Sequence, residues 1–391
     1  MEKRWYYAIL IIFTTCGFSF SSWISRTPEL RDALHATAGT MGLILLGLSI
    51  GSILGLVLAN VFVRARGGRF AIMTSAFFMF GGFLMLATGA WMASQVVVFA
   101  ALFIFGMGAG MCNVSMNLEG TEIEYRIKKT ILPVLHAAFS IGTLAGAGVG
   151  VLFIKLGVLV SAHLVVVACL LFAILMVSTR FVPAGIGKES AADKKANAEE
   201  SAADKRLWLN KRTIALAIMG LCLAFVEGSA NDWIPLAMVD GYDVSHSLST
   251  VIYGIFLAGM ISGRLLSGRL IDTYGRVLLL RVAVALAAIG LLLVILKISV
   301  IVCIFAIFLW GAGASLGFPM AISAAGDESQ YAVKRVSLVT LAGYSASLAG
   351  PPILGFLANY FGLLNAFIFV LIAICVAGIF TGNVAKIKKT A

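Results

Sequence analysis

Twelve unbroken apolar runs, each about twenty residues or longer, take up most of the chain and decide what it can fold into. Crossing the hydrocarbon core of a bilayer takes about 20 apolar residues in a helix, because backbone polar groups must pair with one another where water is absent. The runs predict helices over 5–25, 39–62, 70–92, 95–118, 130–154, 159–181, 213–236, 249–270, 277–297, 299–325, 336–359 and 363–384. Barrel strands would alternate apolar and polar residues over about ten positions, whereas these runs are continuous and rich in Leu, Ala, Ile and Gly. An all-α integral membrane protein is expected. Composition agrees: 12% of the 391 residues are charged and 61% are hydrophobic, against roughly a quarter charged in a soluble domain.

The N-terminal MEKRWYYAILIIFTTCGF has the basic start and apolar stretch of a signal peptide. The run is too long, and no A-x-A site follows, so it reads as an uncleaved first helix. The six cysteines, Cys16, Cys112, Cys169, Cys222, Cys303 and Cys375, fall inside the runs without C-x-x-C or metal-ligand spacing. Free buried thiols and no metal site are expected.

The net charge of +11 is distributed over alternate short loops rather than along one stripe. With the N-terminus inside, the cytoplasmic side holds Lys3/Arg4, Arg64/Arg66/Arg69, Arg126/Lys128/Lys129, the Lys-rich 183–212 segment, Arg269/Arg276/Arg281, Lys334/Arg335 and Lys386/Lys388/Lys389. The opposite loops hold little beyond Arg26 and Arg31. The positive-inside rule therefore predicts a multi-pass protein with both termini cytoplasmic, and argues against a nucleic-acid partner.

One loop, VPAGIGKESAADKKANAEESAADKRLW, is too polar to build a core, and its ESAADK tandem at 189–194 and 200–205 is low in complexity. It predicts a cytoplasmic linker, 183–212, between six-helix bundles at 1–182 and 213–391. The two halves echo each other. SSW at 21–23 matches NDW at 231–233, Gly51 and Gly55 match Gly259 and Gly263, and FGMGAG at 105–110 resembles WGAGAS at 310–315. The loop GTEIEYRIKK at 120–129 matches GDESQYAVKR at 326–335, which aligns Glu122 with Glu328 and Tyr125 with Tyr331. Internal duplication accounts for all four, and transporter folds place substrate sites at repeat interfaces.

Twelve helices in a six-plus-six plan, a charged central linker and inside termini together resemble the major facilitator superfamily of secondary transporters. The motif GRLIDTYGR at 268–276 is similar to the family's G-x-x-x-D-x-x-G-R. The resemblance implies two pseudo-symmetric six-helix bundles, and a cytoplasmic gate role for Gly268, Asp272, Gly275 and Arg276. In the first half NVFVRARGGR at 60–69 carries Arg64 where the repeat would place the Asp. More narrowly, SWISRTPELRDAL at 22–34, EGSANDW at 227–233 and LWGAGASLGFP at 309–319 resemble the YbjJ-type bacterial inner-membrane proteins, near the fucose permeases. That branch implies a transporter of the bacterial inner membrane but no substrate.

An ionisable group at membrane depth costs about 2.5–3.5 kcal/mol on insertion scales, so it faces a partner or a wet cavity. Glu227 lies roughly 21 Å past Thr213, toward the outer side, and Asn231 shares its face. It is either a proton-coupling acid or a structural Glu that locks helices together. Asp232, roughly 28 Å along, reads as a wetted helix-end carboxylate paired with Arg26 or Arg31. In the fourth span Asn113 and Asn117 stand one turn apart and suit either a polar substrate or another helix. Fucose-permease relatives carry an acid where Asn113 stands, which weakens coupling there. Glu119 is expected in an interfacial ion pair with Arg126 or Lys128, with a transport role as the alternative. Arg264, about 12 Å from the cytoplasmic loop, suits gate stabilisation or a carboxylate partner more than substrate. His136 titrates near neutrality, but a lone His is more often structural. Trp23, Trp233, Tyr253, Trp310 and Tyr344 are expected in packing or at the interface rather than stacked on a ligand.

GLSIG at 47–51 fits G-x-S-x-G but lies mid-helix, and GMGAG and GAGVG mimic nucleotide loops without a strand. No hydrolytic or ATP-driven chemistry and no cofactor are expected. The expected function is secondary transport of a small polar solute by alternating access, coupled to protons. A drug or metabolite/proton antiporter is the alternative: Gly142 to Ala147 lacks the proline of family antiporters, which counts against it, while Gly350-Pro351-Pro352 supplies one elsewhere and keeps it open. A membrane receptor that binds without flux is a third reading. The expected partners are the solute, protons and membrane lipid, and the expected state is a monomer.

Overall fold

The computed structural model describes residues 2–129, 131–188, 210–327 and 332–385. The ESAADK tandem, Glu328, Tyr331 and the C-terminal lysines lie outside the described residues. The described chain runs through α1 (Glu2–Ile24), α2 (Thr27–Ala33), α3 (Ala38–Arg66), α4 (Gly68–Trp91), α5 (Gln95–Ile127), α6 (Leu132–Lys155) and α7 (Val160–Thr179). It continues through α8 (Lys211–Tyr242), α9 (His246–Tyr274), α10 (Arg276–Ile295), α11 (Val300–Ala314), α12 (Gly317–Ala325), α13 (Ala332–Phe361) and α14 (Leu363–Phe380), and ends in a 3-10 turn, Thr381–Val384.

Among the described residues, 12 helical spans are long and apolar enough to cross a membrane. All twelve predicted segments are there. The tenth, Val300–Ala325, is two helices in line: Pro319 has no N–H for the carbonyl of Ser315, and the helix breaks at Ser315 and Leu316. Helix α5 runs nine residues beyond the predicted 118, and α8 six beyond 236. Hydropathy marks the hydrocarbon, whereas the backbone ladder continues into the interface, supported on α5 by the Arg126–Glu122 pair at 2.7 Å.

Polar side chains start several helices at the membrane edge. Thr37, Ser94 and Ser299 accept from the N–H three residues on, and Asn210 accepts from Arg212 and Thr213. Glu124 accepts from the N–H groups of Ile131 and Leu132 and so caps α6 from the end of α5.

The chain divides into two compact units, Met1–Glu200 with His246–Val251, and Ser201–Ser245 with Ile252–Ala391. In the first, α5 packs on α3 and α4, and α1 on α6. In the second, α8 packs on α13 and α14, and α10 on α11. Small residues set these contacts, because lipid gives helices no hydrophobic reason to associate and close backbone approach must supply the attraction. The repeated glycines show it: Gly51 and Gly55 press against the Phe103 and Met107 carbonyls, as Gly259 and Gly263 press against those of Phe308 and Ala312. Gly106 on α5 meets the Leu48 carbonyl, and Gly311 on α11 meets that of Phe256. The sequence echo is thus a repeated packing arrangement within each unit. Turns repeat too, with positive φ at Gly67 (+88°) between α3 and α4 and at Gly275 (+79°) between α9 and α10.

Cys16, Cys112, Cys222 and Cys303 are buried free thiols, but Cys169 on α7 and Cys375 on α14 are exposed, correcting the expectation of six buried ones. Trp23 and Trp233 are fully buried core residues rather than interfacial anchors, and so is Trp310, whose ring meets Phe256 and Phe367 edge-on.

Candidate functional site

The second unit gathers its deep polar residues around the middle of α8. Glu227 stands halfway along this 32-residue helix, not toward its outer end, because the helix continues to Tyr242. Its Oε1 accepts from Arg264 Nη2 at 2.9 Å, and the two side chains keep 25% and 33% of their surface exposed. Two opposite charges thus neutralise each other on a partly exposed face instead of inside a packed core. One turn further, Asn231 Nδ2 donates to the Glu227 carbonyl at 3.0 Å, and Tyr253 Oη on α9 donates to Asn231 Oδ1 at 3.1 Å. The cluster offers a carboxylate, a guanidinium, an amide and a phenol, a set that can exchange hydrogen bonds with a polar solute.

Two sequence expectations change here, while Arg264 takes a carboxylate partner, one of the two roles its sequence position offered. Tyr253 is buried and hydrogen-bonded, a role its sequence context did not distinguish from packing. Asp232 is no helix end: ten residues of α8 follow it, roughly 15 Å at 1.5 Å per residue. The arginines expected beside it are otherwise engaged. Arg26 forms an ion pair with Glu29 and donates to the Val158 carbonyl, while Arg31 pairs with Asp32 at 2.8 Å.

In the first unit, Asn113 and Asn117 do come together: Asn117 Nδ2 donates to the Asn113 carbonyl at 2.8 Å, and Thr121 Oγ1 to that of Asn117 at 2.9 Å. Asn113 is exposed, so α5 presents a polar ladder on one face. Glu119 is different. Its side chain has no exposed surface and neither carboxyl oxygen has a hydrogen-bond partner among the described residues. The expected pairing with Arg126 fails because Arg126 takes Glu122, one helical turn away and on its own face. His136 is exposed and meets Phe13 edge-on, ring centroids 5.4 Å apart.

The motif residues lie at and just beyond the end of α9. Asp272 is exposed and has no ion pair or hydrogen bond to another side chain among the described residues, and Gly268 is exposed. Gly275 supplies the left-handed turn. Arg276 pairs with Asp327 at 2.8 Å, and Asp327 also accepts from Arg212 at 3.2 Å. Asp327 went unnoticed in the sequence, although GDESQYAVKR placed an acid beside the end of a membrane helix.

Among the described residues, twelve helices able to cross a membrane, with a repeated packing plan and a partly exposed charge pair halfway along one of them, are the architecture of a polytopic membrane transporter. Residues 134–347, more than half of the chain, match the Major Facilitator Superfamily, and the chain belongs to that family. It is a multi-pass membrane transporter, not an enzyme. An uncharacterised MFS-type transporter of Yersinia pestis is 26% identical over 360 residues, covering 91% of this chain and 90% of that protein. Among solved structures, a D-xylose-proton symporter superposes with a TM-score of 0.76 at 15% identity, covering 96% of this chain and 97% of that one. The E. coli fucose:proton symporter FucP superposes with a TM-score of 0.63, also at 15% identity, over 97% and 98%. At such identities the structures share the fold alone.

Proposed function

We propose that this transporter moves a small, polar solute inward across the bacterial inner membrane by alternating access, coupled to protons. The observation that carries the reading is the partly exposed Glu227–Arg264 pair at the middle of α8 with Asn231 and Tyr253 beside it. A helix-locking pair would be stronger sealed away from water; a wetted one leaves donors and acceptors available to a solute. Glu227 and Arg264, with Asn231 and Tyr253, bind the solute's hydroxyl or amide groups. Gly268, Asp272, Gly275 and Arg276 serve cytoplasmic gating, as in the family motif. The D-xylose-proton and fucose:proton symporters that share the fold support both the solute class and the coupling. The basic loops support cytoplasmic termini, and the chain acts as a monomer.

Purified protein screened for thermal stabilisation against neutral polar solutes, then reconstituted for uptake with and without an imposed pH gradient, tests the reading. Stabilisation by a polar solute and accumulation that collapses with the gradient are expected. Binding without flux would overturn transport, and gradient-independent accumulation would overturn the coupling.

A further inference from the structure

Among the described residues, three carboxylates lie eight or more residues from either end of a membrane helix: Glu119 on α5, and Glu227 and Asp232 on α8. A group that carries an ion through a transport cycle must lose its charge partner and meet water. Glu227 has its partner in Arg264. Glu119 has no exposed surface and cannot exchange with water as it stands. Asp232 meets both conditions. It is partly exposed, and it makes no ion pair and no hydrogen bond through its side chain among the described residues.

Asp232 lines a cleft of about 10 Å³ between α8 and α13, with Phe225, Ser229, Ser347, Gly350 and Pro351. That is about the room one water molecule needs and far below a small-molecule pocket, so the cleft suits a proton or a single small ion rather than a solute. Ser229 is 4% exposed and its hydroxyl has no hydrogen-bond partner among the described residues. Gly350 keeps the α13 wall low, and Pro351 and Pro352 bring no N–H to the helical ladder bordering it.

Among the described residues of the second unit, no cation forms an ion pair with this carboxylate. Helix α13 carries Lys334 and Arg335 eleven or more residues from Ala346, and Tyr344 is its other ionisable side chain on that side. Helices α11 and α14 offer only Cys303 and Cys375, and α12 and the terminal 3-10 turn offer none. On α9, Arg264 is given to Glu227. A lone carboxylate at this depth is driven to bind a cation or a proton, because the bare charge is costly there.

We propose that Asp232 takes up a small monovalent cation, a proton or a sodium ion, in the cleft it shares with Ser229, and that this carboxylate rather than Glu227 carries the coupling ion. The coupling role rests on the transport reading above; the binding itself does not.

Infrared difference spectroscopy on the purified, reconstituted full chain, perfused from alkaline to acidic buffer in choline chloride, reads protonated carboxyl groups without any flux. A carboxylic C=O band growing toward acid is expected, lost in Asp232→Asn and kept in Glu227→Gln. Asp232→Glu, which keeps an acid one methylene longer, shifts the band and serves if the Asn variant fails to fold. Replacing choline with sodium at fixed pH separates the two ions: a diminished band identifies sodium in the cleft, an unchanged one identifies the proton alone. A titrating band that survives Asp232→Asn, is unmoved by Asp232→Glu, or disappears in Glu227→Gln overturns the proposal. Failed flux would overturn the transport reading and leave this result standing.

Discussion

Arg264 on α9 reaches Glu227 on α8 at 2.9 Å, so two opposite charges far from the ends of their helices meet each other on a partly exposed face. Removing one partner strands the other at membrane depth. Fully buried pairs lose 3–5 kcal/mol this way, about 1–3 kcal/mol once the partial exposure is allowed for. Glu227→Gln and Arg264→Gln are each expected to lower thermal stability in detergent. The double variant should lose less than the two single losses added, and strict additivity would show that the pair is not coupled.

Backbone contact at the repeated glycines predicts a second series. A methyl on Gly51 meets the Phe103 carbonyl and one on Gly259 meets that of Phe308, so Gly51→Ala and Gly259→Ala should each cost about 1–3 kcal/mol. Gly148 on α6 has nothing within 4 Å of such a methyl. Gly148→Ala should be neutral or stabilising by up to about 1 kcal/mol through helix propensity alone. Melting temperatures of the three variants in one detergent check the contrast.

Asp327 serves two arginines, Arg276 and Arg212, and Arg212 also donates to the Asn383 and Ala385 carbonyls. Asp327→Asn should therefore loosen the ends of α8, α10 and the terminal 3-10 turn together. Hydrogen exchange at those helix ends is the readout: faster exchange is expected in Asp327→Asn, and little change in Asp272→Asn, whose carboxylate is exposed.

Burial pushes the Glu29 carboxyl above the usual carboxylate range, with the neighbouring Arg26 and then His246 pulling the other way. The folded state then favours the protonated form. Its contribution to stability is fully present below the ordinary Glu value, about 4.3, and is lost as pH rises through the raised folded value. Glu29→Gln, neutral at every pH, should remove that pH dependence, so the variant gains stability relative to wild type as pH rises. Melting curves across the mildly acidic range test the sign, and a variant that loses stability relative to wild type toward neutral pH would refute it.

The number and order of membrane helices were legible because hydrocarbon thickness fixes how many apolar residues a span needs. Their ends were not, since α5 and α8 stay helical where polar residues have already begun, and that misplaced Asp232 at a helix end. The Glu227–Arg264 pair was half legible. Depths of roughly 21 Å and 12 Å from the same side differ by little more than an Arg side chain spans, but the sequence did not say that α8 and α9 face each other there. Glu119 was misread from its neighbours in sequence, although the i,i+4 rule already favoured Glu122 for Arg126. Its burial depends on how α5 is turned within its unit, which no local pattern reveals.

The two exposed thiols have a practical use. Cys169 lies on α7 in the first unit and Cys375 on α14 in the second, while the other four sulfurs are shielded. A lipid-soluble maleimide spin label would attach to this native pair with no engineered cysteine, giving one reporter per unit. Pulsed dipolar distances between them, recorded with and without a solute or a pH step, would follow the working cycle in the unaltered protein.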